Sequence, residues 1–69
     1  MAVARVTEII AASAVGFDDA VKRGFERASK TLRNITGFHV TEWRASVEDE
    51  QIQEYRVTLR VTFLLEDTI

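Results

Sequence analysis

A few side chains in this sequence have the chemistry to bind something. Arg44, Arg56 and Arg60 carry guanidinium forks, which suit phosphate and carboxylate groups. The same forks suit pairing between subunits with Glu42, Glu54 or Glu66. Trp43 is the single tryptophan. Its flat apolar ring can stack on an aromatic ligand or anchor a protein interface. Glu48-Asp49-Glu50 crowds three carboxylates together. Such a run supplies oxygen ligands for Ca²⁺ or Mg²⁺, and it equally forms a solvated turn. His39 is the sole histidine, and no acid–base constellation surrounds it in the sequence. The chain has no cysteine, which excludes disulfides, thiolate catalysis and cysteine-ligated metal. No phosphate-binding loop, dinucleotide fingerprint or nucleophile motif occurs. These residues point to binding and give no support to an enzyme.

The elements that must position them follow from periodicity. Val3 to Ala12 is rich in β-branched residues and reads as a strand. Ser13 is an N-cap candidate, because its hydroxyl can accept from an orphan N–H of the next turn. From Ala14 to about Arg33, Phe17, Ala20, Val21, Gly24, Phe25, Ala28 and Leu32 recur at helical spacing. Lys22, Arg23, Glu26, Arg27, Lys30 and Arg33 occupy the other face. Asp18 and Asp19 suit the helix start, and Asn34 suits a left-handed terminator. Phe38 to Val47 alternates loosely, and Gln53 to Leu65 alternates cleanly. The expectation is a β-α-β-β unit of the α+β class. Its three-stranded antiparallel sheet has order 1-3-2 and is partly wrapped around one helix, with Tyr55, Val57, Leu59, Val61, Phe63 and Leu65 turned toward that helix. Alternation also puts Trp43 on the same face as Gly37, six residues away.

The 69 residues allow one domain, 1–69. The charge of −2 gives no general attraction to nucleic acid or anionic lipid, and no apolar run spans a membrane. With no targeting segment, the expectation is cytoplasmic. A chain this short has a marginal core unless it is stapled. Without disulfides, homo-oligomerisation is the remaining device, and a half-covered sheet with open edges favours it.

Order, spacing and length together resemble the dodecins. Val6-Thr7-Glu8-Ile9-Ile10-Ala11-Ala12-Ser13 is similar to that family's strand-to-helix passage, and Gly16-Phe17-Asp18-Asp19-Ala20-Val21 to its first helical turns. Arg27-Ala28-Ser29-Lys30-Thr31-Leu32-Arg33-Asn34-Ile35 resembles the helix end. Glu54-Tyr55-Arg56-Val57 and Val61-Thr62-Phe63-Leu64-Leu65-Glu66 resemble the last strand. The resemblance implies a hollow homododecamer that binds flavin (FMN, riboflavin or FAD) in pairs at subunit interfaces, and a ligand-binding set at Gly37, Arg44 and Arg56; Trp43 joins that set only if a symmetry axis brings it from another subunit, and otherwise packs at an interface or on the sheet. It also exposes departures. Gly37 stands where flavin-binding members carry a stacking tryptophan, and Arg56 where they carry a glutamine that bonds the flavin edge. Leu64 stands where bacterial members place a basic residue near the ligand phosphate, whereas Arg44 matches a basic position. The sequence therefore implies a flavin-type binding or storage protein with weakened or lost flavin affinity. A flavin-free scaffold, or a cage for another anion or a metal ion, are the alternatives.

Overall fold

A computed structural model describes residues 2–65. Ala4–Ser13 forms β1, Phe17–Thr31 forms α1, Ile35–Glu48 forms β2 and Gln51–Leu64 forms β3. The sheet order is β1-β3-β2 and both pairings are antiparallel, as expected when a long helical crossover sets β1 and β2 parallel and a short turn sets β2 and β3 antiparallel. The long last strand is thus the middle one.

The helix begins later than its periodicity suggests. Ser13 is not its cap; it is the last residue of β1, directly opposite Tyr55. The Ser13 hydroxyl accepts from the Val15 N–H at 2.9 Å, a local bond that competes with helix over 14–16. The same hydroxyl donates to Asp19 Oδ2 at 2.6 Å, and Arg23 Nε donates to that oxygen at 2.6 Å. Together, the Ser13 bond first and the Arg23 bond second, they hold the Asp19 carboxyl below its ordinary value. The helix ends at Thr31, where Leu32 turns extended and donates its N–H to Ala28 O. Asn34 does adopt the left-handed conformation, at φ 61°, two residues beyond that cap.

Ala20, Gly24 and Ala28 recur every fourth residue and press α1 onto the sheet. They meet Val57, Leu59 and Val61, which are buried, with Ile9, Ala11, Phe17, Val21, Leu32, Ile35 and Val40 packed around them. A Cβ at Gly24 would lie 2.7 Å from Leu59 Cδ1 and 3.0 Å from Ala11 Cβ, so this position needs glycine for close approach. The odd-numbered side of β3 therefore faces the helix, as the alternation predicts.

β2 does not alternate cleanly because its pairing shifts between Ile35 and Gly37, and again between Val40 and Glu42. At each shift a threonine is the extra residue of a β-bulge. Thr36 donates to Thr62 O at 3.5 Å and Thr41 to Thr58 O at 3.4 Å. A third shift lies between Ser46 and Val47. β2 and β3 are joined by Asp49 and Glu50 alone, both at positive φ (51° and 61°), the geometry of a type I′ turn. The resulting hairpin arm runs past the start of α1, and the molecule measures 52 × 19 × 13 Å.

Candidate functional site

The sheet face turned away from α1 is open. Residues opposite one another in an antiparallel pair share a face, so the register assigns the side chains row by row. Gly37, Thr62 and Val6 form one row, and His39, Arg60 and Glu8 the next. Glu42, Thr58 and Ile10 follow, then Arg44, Arg56 and Ala12. Val6 and Ile10 are large apolar side chains left exposed on this face.

Of the residues expected at the site, Gly37, Arg44 and Arg56 lie on this face. A Cβ built at Gly37 would have nothing within 4 Å, so the surface there is bare where a stacking ring would stand. Arg44 and Arg56 are direct cross-strand partners. Like charges so placed repel, and the two guanidinium groups turn apart along their own strands. Arg44 Nη2 donates to Glu42 Oε2 at 3.3 Å, and Arg56 Nη2 to Glu54 Oε1 at 2.6 Å. Between them lies a shallow depression of ≈ 330 Å³ lined by Arg44, Ala45, Ser46, Glu54 and Arg56. Sequence reasoning did not single out Ser46; only the shifted register places it opposite Glu54. Arg60 sits two rows from this pair, between Glu8 and His39. Glu66, the other carboxylate expected to pair with these arginines, lies outside the described residues.

Trp43 departs from expectation. It pairs with Val57 and therefore faces the helix side, opposite to Gly37. The extra residue at Thr41 reverses the alternation, so six positions along β2 no longer return to one face. The ring packs edge-on against Phe17 at 5.4 Å between centroids, and Phe17 meets Tyr55 at 5.0 Å. Trp43 is still 53 % exposed, because α1 begins at Phe17 and does not reach farther along the arm. Within one subunit it cannot serve a ligand on the open face.

Gly37 and the Arg44–Arg56 pair are six strand positions apart along β3, ~20 Å. One subunit does not bring them together around a single small ligand; a second copy has to complete any site that uses both. Leu64 lies on the open face opposite Ala4, so the position that resembles the family's basic residue is apolar and exposed. Among the described residues no group of three or more His, Asp or Glu side chains is placed to hold a metal ion, and no helix is long and apolar enough to cross a membrane.

Comparison with known proteins agrees with this architecture over nearly its full length. The family model described as Dodecin matches residues 3–66. A curated dodecin of Thermus thermophilus is 38 % identical over 61 residues, 88 % of each chain. The structure of a Streptomyces davaonensis dodecin superposes with a TM-score of 0.89 at 42 % identity, covering 94 % of this chain and 96 % of that one. The Streptomyces coelicolor dodecin structure gives a TM-score of 0.89 at 42 % identity over 94 % and 93 % of the two chains.

Proposed function

Because this chain belongs to the dodecin family, we propose that it is a cytoplasmic, single-domain binding or storage protein for flavin-type ligands rather than an enzyme. It works as a homododecamer, and its affinity for flavin is weak. Family membership supports the ligand class and the assembly. The observation that carries the weak affinity is the bare surface at Gly37. An aromatic stacking pair contributes about 0.5–1.5 kcal/mol beyond the area it buries. Glycine supplies neither the ring nor the area, and it leaves a space that water enters.

Arg56 weakens the site a second time. Glutamine offers a flavin edge one donor group and one acceptor, whereas a guanidinium offers donors only. A desolvated polar group left unpaired costs about 1–3 kcal/mol. Titrating riboflavin with the purified protein and following fluorescence quenching tests the reading. Quenching is expected only at high protein concentration, and freshly purified protein is expected to be colourless. Stoichiometric quenching at nanomolar protein would contradict the weak affinity.

A second reading rests on the Arg44–Arg56 depression. Two opposed guanidiniums, each held by one exposed carboxylate, have most of their N–H donors unused. A phosphate or carboxylate group fits that chemistry better than a neutral ring edge. If so, FMN binds more tightly than riboflavin, and the difference shrinks as salt rises.

A further inference from the structure

The molecule carries two opposite charge patches, one toward each end, and among the described residues neither forms an ion pair. At the tip of the hairpin arm, Glu48, Asp49 and Glu50 place three carboxylates on the turn and the position before it. Along the C-terminal half of α1 and just beyond it, Arg27, Lys30 and Arg33 outnumber Glu26. Ion pairs among the described residues join Arg23 to Asp19, Arg44 to Glu42 and Arg56 to Glu54, leaving both patches unpaired.

The topology keeps the patches apart. α1 starts beside Trp43 and Tyr55 and runs back along the sheet, away from the tip. Its end lies by Ile35 and Phe63, at the far end of a body 52 Å long. At 100° per residue, Phe25 projects from one flank of α1 and Arg23, Arg27 and Lys30 from the other. Phe25 packs on Phe38 of β2, so the basic flank overhangs β1, an edge strand.

Between the patches lies uncovered apolar surface. On the helix side of the arm, beyond the start of α1, Trp43 is followed by Ala45 and the Val47–Ile52 pair. Val47 is 66 % exposed and Ile52 54 %. With a net charge of −2, two copies repel weakly in most orientations. One orientation brings the acidic tip of one copy to the basic flank of the next.

We propose that the acidic hairpin tip of one copy docks on the basic α1 flank of a second copy, head to tail, and that this contact covers the Trp43–Val47–Ile52 strip. The inference rests on the homo-oligomer reading above and adds to it which surfaces meet and what fixes their register. Apolar burial supplies the driving force, and the charges select the orientation. A head-to-tail contact is heterologous, so it closes only through a rotation that returns to the first copy, as cyclic and cubic assemblies do.

Charge reversal tests this. One chain carries Glu48→Lys and Glu50→Lys, a second carries Arg27→Glu and Lys30→Glu, and a third carries all four changes. Light scattering over a dilution series at low salt gives the concentration at which each assembly is half dissociated. Each single reversal is expected to raise that concentration by roughly tenfold or more. The four-fold variant is expected to return to within about threefold of the unaltered protein. High salt should narrow all these differences. Recovery in the four-fold variant cannot arise from misfolding, because that chain carries every substitution. If the single reversals leave an oligomer of unchanged stability, or if the four-fold variant dissociates as readily as either parent, the tip-to-flank contact is wrong while the oligomer stands. If the unaltered protein is monomeric throughout, both readings fall.

Discussion

Gly37 and Arg56 are two of the three positions, with Leu64, at which this chain departs from the resemblance to flavin-binding members, and these two can be tested as a pair. Gly37→Trp should restore part of the stacking, because nothing stands within 4 Å of a Cβ there. Rescue should be partial, because Arg56 still presents only donors. With Arg56→Gln added, flavin should bind more tightly than the two single changes sum to, since both residues would meet one ligand across a subunit contact. A double-mutant cycle on flavin affinity, in variants shown to keep their mass, measures this. Purely additive effects would mean that the open face is not a latent flavin site. Asp19 supports a second prediction at this scale. Its carboxyl is held below the ordinary value of 3.8, first by the Ser13 hydroxyl and then by Arg23. A carboxyl whose folded value is depressed contributes stability that is present above the unfolded value and is lost as pH falls through the folded one. Acid should therefore weaken the strand-to-helix corner below about pH 4. Ser13→Ala should flatten that acid dependence in urea denaturation at pH 3 to 5; an unchanged slope would remove Ser13 from the account.

At the scale of elements, α1 against the sheet sets the tolerance of the core. Gly24→Ala gains up to ~1 kcal/mol of helix propensity. It also drives a methyl group toward Leu59 and the immobile Cβ of Ala11, and such overpacking typically costs about 1–3 kcal/mol. The net expectation is a loss of roughly 1 kcal/mol, read as a lower urea midpoint. Gly37→Ala, with open space around it, is the matched control and should be near neutral. The same scale separates what the sequence reveals from what it hides. The clean alternation of β3 makes its buried side readable, and the crossover helix with a short hairpin turn makes the strand order readable. The start of α1 is hidden, because Ser13 bonds Val15 locally instead of capping. The faces of β2 are hidden more deeply. Thr36 and Thr41 are ordinary strand residues by composition, and only the partner strand shows that each is one residue too many. That is why Gly37 shares a face with Arg44 and Arg56, from which simple alternation along β2 would separate it, and why Trp43 lies on the other.

For the whole molecule, the prediction concerns mass and Trp43 together. Light scattering should give the mass of a dodecamer of 7.8 kDa chains. Trp43 is half exposed in the single chain, so its emission should lie to the blue in the assembly and move red on dilution to monomers. A red, concentration-independent emission from a particle of that mass would mean that assembly leaves the arm uncovered. The open face behaves differently. Its exposed Val6 and Ile10 flank Glu8, and Arg60 lies opposite that carboxylate, so this surface is mixed rather than apolar.

Strand order also dictates a timetable for the chain as it is made. Among the described residues the first strand pairs only with the last, from Ala4 against Leu64 to Ser13 against Tyr55. The β2–β3 hairpin can zip on its own in about 1–10 μs once its tight turn is available. β1 must wait until the end of β3 clears the ribosome, several seconds at about 5–20 residues per second. During that interval Val6, Ile9 and Ile10 form an unpaired strand beside other nascent chains. Early termination has unequal consequences as well. A product stopped before Tyr55 lacks the middle of the sheet and orphans both of its neighbours, whereas a chain missing β1 keeps its hairpin.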